Sequence, residues 1–181
     1  MQRIVLKDIP RYECLVEASR QFPDLDPSAC EAFLQLIRAG DEVWSVMNSN
    51  FAQHGITQGR FLLMTLLMEK PDTDCSHPGT PAELAGQAQV SRATITGLLD
   101  TLERDGFVSR EPDAGDRRQV TVRLTAAGVS FMHGFLPKHF RLMNGLMANL
   151  SESERKTLVA LLAKIDTGAA VERTESTSTV D

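Results

Sequence analysis

The most constraining feature of the chain is residues 80–125, where helix caps, apolar spacing and turn residues follow one another in a definite order. Thr80, Pro81 and Glu83 form the pattern of a capping box, in which the Thr hydroxyl accepts from an early backbone N–H and the Glu reaches back. Ser91 predicts a second N-cap shortly after the first helix, and Gly106 supplies the left-handed residue that ends the second helix. Two short capped helices joined by a tight turn indicate a helix-turn-helix.

The second helix has an apolar face and a polar face. Leucines and isoleucine recur at helical spacing and predict the buried side. The opposite side carries small or hydrogen-bonding residues, which allow close approach to a duplex and contact with base edges in the major groove. An ordinary amphipathic helix with a solvated polar face is the alternative, and the position of this helix between a capped helix and a hairpin favours DNA recognition. The predicted DNA-binding residues on this helix are Ser91, Arg92, Thr94, Thr96, Gly97 and Thr101.

A β-hairpin is predicted from about Phe107 to Leu124, because Val120, Val122 and Leu124 alternate with polar residues at a period of two. The intervening residues 112–116 have the composition of a turn. Arg117 and Arg118 follow at once and predict a wing whose guanidiniums reach a narrow, electronegative minor groove. A solvated charged turn is the alternative.

Together these residues resemble the MarR family of winged-helix transcription regulators. The resemblance rests on Asp116-Arg117-Arg118 leading to Leu124-Thr125, preceded by the run LERDGFV at residues 102–108, and it covers about residues 57–125. It implies that Arg118 reaches the minor groove while Asp116 orients it. It also implies a homodimeric repressor that binds a palindromic double-stranded operator and is released by a small aromatic or acidic effector, or by oxidation.

The predicted fold class is mostly α with a small β-wing, a winged helix-turn-helix joined to a helical dimerisation region. The predicted domains are N-terminal helices over 1–56, a DNA-binding domain over 57–125, C-terminal dimerisation helices over 126–166 and a disordered tail over 167–181. After the wing, apolar residues cover more of the helix circumference than one internal contact can bury. We therefore expect a two-fold dimer, with a compact monomer as the alternative.

Composition bounds the function without deciding it. The sequence contains no stretch typical of a signal peptide or a membrane span, so we expect a cytoplasmic protein without membrane contact. The formal net charge is −5, and residues 80–125 contain six Arg against seven acidic residues. A DNA-binding domain normally shows a basic surface, so the acids at the end of the recognition helix must lie away from the phosphates.

The resemblance also implies an effector pocket between the dimerisation region and the winged domain. Arg60 or His54 could hold a carboxylate, and Trp44 could stack on an aromatic ring. Ordinary core or surface roles are an equal alternative for each residue. The urate-responsive branch of the family places an acidic residue where this chain has Leu62, which argues against urate. The candidate effector residues are Trp44, Met47, His54, Arg60 and Met64.

Other functions have weaker support in the sequence. Cys30 could make the protein a thiol-based redox regulator, although nothing cationic adjoins it in sequence to lower its pKa. The histidines lack the spacing of a metal site, and no cofactor is expected. We found no motif of a catalytic site, so an enzyme is not expected. A winged helix that contacts only proteins is the last alternative, and the paired Arg117 and Arg118 argue against it.

Overall fold

The computed structural model describes residues 8–68, 79–112 and 120–178, with side chains as far as residue 167. Seven helices and two antiparallel strands occur within these ranges. In chain order they are α1 Tyr12–Ser19, α2 Pro27–Gln53, α3 Gln58–Leu66, α4 Pro81–Ala88, α5 Arg92–Arg104, β1 Val108–Pro112, β2 Val120–Leu124, α6 Ala126–Leu146 and α7 Glu152–Ser178.

The chain forms two compact units, Met1–Phe135 and Leu136–Asp181. The first unit contains every described element from α1 to β2 together with the beginning of α6. The second contains the rest of α6 and α7. The predicted fold class, a mostly helical protein with a winged helix-turn-helix, is confirmed. The finer division into three structured domains stays a prediction.

The helix-turn-helix forms where the caps predict it. The Thr80 hydroxyl accepts from the backbone N–H of Glu83 at 3.3 Å, and the Glu83 carboxylate accepts from the N–H of Thr80 at 3.0 Å. These bonds satisfy donors that the first turn of α4 leaves unpaired, and they hold the pKa of Glu83 below its ordinary value. Gln89 ends α4 in the left-handed conformation (φ 53°), and Ser91 caps α5 through the N–H of Thr94. The turn therefore spans residues 89–91.

The core of the first unit is built around one face of α5. Ile95, Leu99 and Leu102 are at most 1% exposed, as their helical spacing predicts. They lie in the same core as residues of α3, α4 and the hairpin. The other members of this core include Leu63, Met64, Leu84, Val108 and Val122. Full burial of such side chains stabilises the fold by roughly 1.5–3 kcal/mol each, so the recognition helix is held firmly from behind.

The hairpin pairs Val108 with Leu124 and Arg110 with Val122. Its alternation is less regular than the period of two predicts, since Thr121 is buried together with Val122 while Val120 is exposed. The N–H of Val122 donates to the carbonyl of Gly79 at 2.6 Å, which ties β2 to the residue before Thr80. The base of the hairpin is thus fixed to the residue that precedes the cap of α4.

Two local predictions differ from the structure. The predicted disordered tail from residue 167 is helical as far as Ser178, because α7 is already nucleated and each further residue adds a backbone hydrogen bond without needing burial. Ser28 has the residue type of an N-cap and is predicted from the sequence to begin α2. The cap is Asp26 instead, since its carboxylate accepts from the N–H groups of Ser28 and Ala29. Pro137 lies inside α6 without ending it.

Candidate nucleic-acid interface

The outward face of α5 carries most of the predicted DNA-binding residues. Arg92, Thr94, Thr96 and Gly97 are all exposed. A Cβ added at Gly97 would meet no atom within 4 Å, so this part of the helix presents bare backbone. Thr101 is only half-buried on the flank, and its hydroxyl donates to the carbonyl of Leu98 at 2.8 Å. The structure therefore leaves the first four residues accessible to solvent and Thr101 partly covered.

The hydroxyl groups of this face make local bonds and keep capacity for a ligand. The Ser91 and Thr94 hydroxyls are 2.9 Å apart, and Thr96 donates to the carbonyl of Arg92 at 2.9 Å. A hydroxyl has one donor and two acceptor positions, so one internal bond leaves further positions open. The local bonds fix the direction of each side chain before any duplex is bound.

A cleft of about 380 Å³ adjoins this surface. It is bounded by the beginning of α4, the recognition helix and the start of β2, and Arg92 and Thr96 form its wall on the α5 side. The recognition surface is therefore continuous with a concave region that reaches the base of the hairpin.

Arg110 of β1 makes an ion pair that the sequence analysis missed. Its Nη2 atom lies 2.6 Å from Oδ1 of Asp100, and Nη1 lies 3.2 Å from Oε2 of Glu103. Because these acids are three residues apart, they lie on the same face of α5. Two acids three residues apart on a helix, followed by a strand that carries an arginine, were the sequence signal that could have predicted this ion pair. The acids at the end of α5 were expected to lie away from the phosphates, which stays a prediction. The structure adds that two of them are paired with an arginine of the hairpin.

The third acid at the end of the recognition helix is paired from α3. Arg60 Nη2 lies 2.6 Å from Oδ2 of Asp105, while Arg104 Nε lies 3.3 Å from Oδ1. The bond from Arg60 is the main reason that the pKa of Asp105 is below its ordinary value. The Arg60 guanidinium also lies 5.9 Å from the centre of the Phe107 ring, within cation–π range. Arg60 therefore holds the junction between α5 and β1.

The start of α6 is fastened to the same junction. Thr125 donates its hydroxyl to the carbonyl of Gly106 at 2.7 Å and its N–H to that of Phe107 at 3.0 Å. Gly106 has φ 75°, the left-handed conformation predicted for the end of the helix. A Cβ on Gly128 would lie 2.2 Å from the Phe107 carbonyl oxygen, so only glycine fits this contact without movement. The end of α5 is thus bound to α3 and to α6.

The candidate effector residues separate into three groups. Arg60 and His54 belong to an aromatic cluster, since His54 lies edge-on to Phe135 at 5.1 Å and the rings of Phe131 and Phe107 connect Phe135 to the Arg60 guanidinium. Met64 is fully buried in the core. Trp44 and Met47 lie on α2, Trp44 being exposed and about 15 Å from His54 along the helix axis. The structure does not bring Trp44 to the cluster.

Some of the predicted site residues lie outside the residues that the structure describes. Asp116, Arg117 and Arg118 lie between the described residues 112 and 120, so their roles stay predictions. Within the described ranges, no group of three or more His, Cys, Asp or Glu residues is placed to hold a metal ion. Cys14 is exposed and Cys30 half-buried, both as free thiols, and Cys75 is outside the described residues. In the same ranges, no helix has the length and apolar character of a membrane span.

Comparison with known proteins decides the family. The model of the MarR family matches residues 56–120. The HTH-type transcriptional repressor YetL of Bacillus subtilis (strain 168) is 36% identical over 160 residues, which are 88% of this chain and 93% of YetL. The chain belongs to the MarR family. The protein is therefore a DNA-binding transcriptional regulator and not an enzyme.

The chain is also similar to another regulator and to a solved structure. The HTH-type transcriptional regulator PecS of Dickeya dadantii (strain 3937) is 24% identical over 144 residues, covering 80% of this chain and 85% of PecS. A mutant MarR from E. coli, solved in complex with operator DNA, is 25% identical with a TM-score of 0.59, covering 72% of this chain and 90% of that chain. The described MarR-family elements of this chain thus have counterparts in a DNA-bound regulator.

Proposed function

We propose that this MarR-family regulator is a homodimeric repressor that binds an inverted-repeat operator and is released by a small aromatic or acidic effector. The observation that carries the proposal is the exposed face of α5, where Arg92, Thr94, Thr96 and Gly97 form one surface in front of a rigid core. Similarity to a named repressor and to a regulator solved with operator DNA supports repression as the effect of binding.

Exposed apolar side chains support a dimer. In the second unit, α6 and α7 expose Phe140, Leu161 and Ile165 at 53%, 50% and 48%. In the first unit, α1 and α2 expose Tyr12 and Phe33. Exposed apolar surface can mark interaction sites on soluble proteins, and two-fold homodimers are the commonest assembly. A dimer places two recognition helices about one helical turn apart, roughly 34 Å, which matches an inverted repeat.

The aromatic cluster around Arg60 supports an acidic or aromatic effector. Arg60 is the charged member of the cluster, and its side chain is only 12% exposed. Ligand sites of this type combine apolar walls with a few polar anchors that fix the orientation. A carboxylate that bonds Arg60 would compete with Asp105 and so act on the end of the recognition helix. Because these contacts hold α5 in place, a molecule that disrupts them would release the protein from DNA.

Selection of bound duplexes from a random DNA library tests the proposal. We expect the purified full chain to enrich an inverted repeat whose half-sites lie about one helical turn apart. Arg92→Glu serves as the control, because Arg92 is exposed and its replacement reverses charge on the recognition face without touching the core. Enrichment of single, unpaired half-sites would contradict the dimer, and no enrichment at low salt would contradict sequence-specific binding.

The selected operator then allows a screen for the effector. Aromatic acids, neutral aromatic compounds and oxidants are each tested for release of the protein from the duplex. We expect aromatic acids to release the protein and to lose potency in Arg60→Met. Release by oxidants alone would instead favour the thiol-based alternative. In that case, Cys30→Ser should abolish the release by oxidants.

A further inference from the structure

Arg110 has contacts that its place in a wing strand does not require. Its side chain crosses from β1 to α5 and bonds two carboxylates, Asp100 at 2.6 Å and Glu103 at 3.2 Å. The same Nη2 atom lies 3.5 Å from the backbone carbonyl of Thr96, on the recognition face. One guanidinium thus spans nearly two turns of the recognition helix.

The charge of α5 explains why this matters for DNA binding. The helix carries two arginines and two acids, and both acids lie in its last five residues. The carboxyl end of a helix is itself partly negative, which adds to the charge of these acids. Phosphates within a Debye length, about 10 Å at 0.1 M salt, experience this charge. Without a counter-ion, the end of the recognition helix would repel the duplex.

The ion pairs of Arg110 are not explained by their contribution to folding stability. Asp100 and Glu103 are 57% and 41% exposed, and exposed ion pairs contribute little to folding. The Arg110 side chain is 26% exposed, so it is shielded more than either acid. An arginine held in a fork between two carboxylates has its donors directed at them and away from a bound duplex.

We propose that Arg110 is a positioning residue that offsets part of the negative charge of Asp100 and Glu103, so that the recognition helix can approach the phosphates, without contacting DNA itself. This rests on the proposed DNA-binding function. It assigns to β1 a part in recognition separate from that of the wing tip, because Arg110 precedes the tip and faces the helix.

The size of the effect follows from the geometry of charges near a duplex. In water, two unit charges about 8 Å apart alter an equilibrium roughly two-fold. Loss of one positive charge in each of two protomers multiplies to a weakening of about four-fold. We therefore expect Arg110→Met, which keeps the apolar stem and removes the charge, to raise the Kd for the selected operator by about that factor at low salt.

Removal of the acids provides the decisive test. In the triple variant R110M/D100N/E103Q, the carboxylates that Arg110 covers are neutral, so affinity should return to that of the wild type or exceed it. The D100N/E103Q variant alone controls for loss of the acids and should bind as tightly as the wild type or more tightly. A thermal melt of each full-length variant establishes that it is folded before binding is measured.

The salt dependence separates neutralisation from direct contact. Removing one phosphate-binding side chain reduces the slope of log K against log[salt] by about one. We expect the triple variant to keep the wild-type slope. Failure of the acid substitutions to restore binding, together with a reduced slope, would overturn the proposal and make Arg110 a phosphate ligand. Unchanged binding by Arg110→Met would also overturn it, whereas a wild-type protein that binds no duplex would instead contradict the proposed function.

Discussion

Arg60 Nη2 lies 2.6 Å from Asp105 Oδ2, which joins α3 to the residue that ends the recognition helix. The two residues are 45 positions apart in the sequence. The Arg60 side chain is 12% exposed and lies against the Phe107 ring, so the pair is partly shielded from water. Local capping gives α5 its start, whereas this long-range pair fixes its end.

We expect the Arg60–Asp105 pair to show strong energetic coupling. Arg60→Met and Asp105→Asn should each lower the midpoint of urea unfolding, and the double variant should be no less stable than Arg60→Met alone. Additive effects would contradict the pairing. Arg104→Met is the control, because Arg104 is 73% exposed and its bond to Asp105 is longer.

The same pair predicts a dependence of stability on pH. The pKa of Asp105 is lowered in the folded protein, chiefly by Arg60. Its contribution is therefore complete above the unfolded value of about 3.9 and is lost as the pH falls through the lower folded value. Other carboxylates with lowered pKa values, such as Glu83, add to the total. We expect the difference in unfolding free energy between wild type and Asp105→Asn to shrink from pH 5 to pH 3, and a constant difference would argue against the assignment.

Gly128→Ala should destabilise the junction between the recognition helix and α6. The added Cβ would lie 2.2 Å from the Phe107 carbonyl oxygen, and backbone atoms must move to admit it. Overpacking of this kind costs typically about 1–3 kcal/mol. Gly134→Ala is the matched control in the same helix, since its Cβ would meet nothing within 4 Å. The two variants should shift Tm in opposite directions, and equal shifts would contradict the close contact.

Gly97→Ala should separate folding from DNA binding. Gly97 is a helix residue with open space around it, so Ala should stabilise the fold by roughly 0.5–1 kcal/mol. If the backbone of α5 approaches the duplex, the extra methyl group should weaken operator binding. Thermal melts and operator titrations measure the two effects. A more stable protein with unchanged affinity would remove Gly97 from the interface.

Arg118→Ala tests the predicted wing. Loss of one good groove interaction should weaken operator binding by about 1–3 kcal/mol. Asp116→Asn should give a smaller loss, because the guanidinium stays but is no longer held in a fixed plane. The same titration used for Gly97→Ala measures both. Unchanged affinity in Arg118→Ala would exclude it from the interface.

Leu161→Glu tests the proposed dimer. Leu161 is 50% exposed on α7, and a carboxylate there would be buried by an apolar partner surface. The dimer dissociation constant should rise by about ten-fold or more, equivalent to at least ~1.4 kcal/mol. Ala160→Glu adds the same charge about 100° away around the helix and should leave assembly unchanged. Sedimentation that shows both variants assembled equally would place the interface elsewhere.

The local elements of the winged helix-turn-helix could be predicted from the sequence. Thr80, Glu83 and Ser91 cap as their positions indicate, because a cap depends on backbone groups three residues away. The buried face of α5 follows from its spacing alone. Where two neighbouring residues compete, as Asp26 and Ser28 do before α2, the pattern does not decide which one caps.

The candidate sites could be predicted only in part. The exposed side of α5 follows from helical geometry, and Arg92, Thr94 and Thr96 are exposed, while their contact with DNA stays a prediction. Arg60 and Met64 were predicted as effector residues, and that role stays a prediction. The structure adds that Arg60 pairs with Asp105 and that Met64 is completely buried. The residue pattern of one helix predicts the direction of a side chain, but it does not predict which charged residue of another element will pair with it.

The sequence by itself determined the family, the helix-turn-helix, its caps and the composition of the recognition face, because these depend on residues within a few positions of one another. Only the tertiary structure decided that Arg110 covers Asp100 and Glu103, that Arg60 holds Asp105, and that Gly128 must lack a side chain. Each of these contacts joins different elements of the fold. Charge and close packing act through space, and their partners are set when the chain folds.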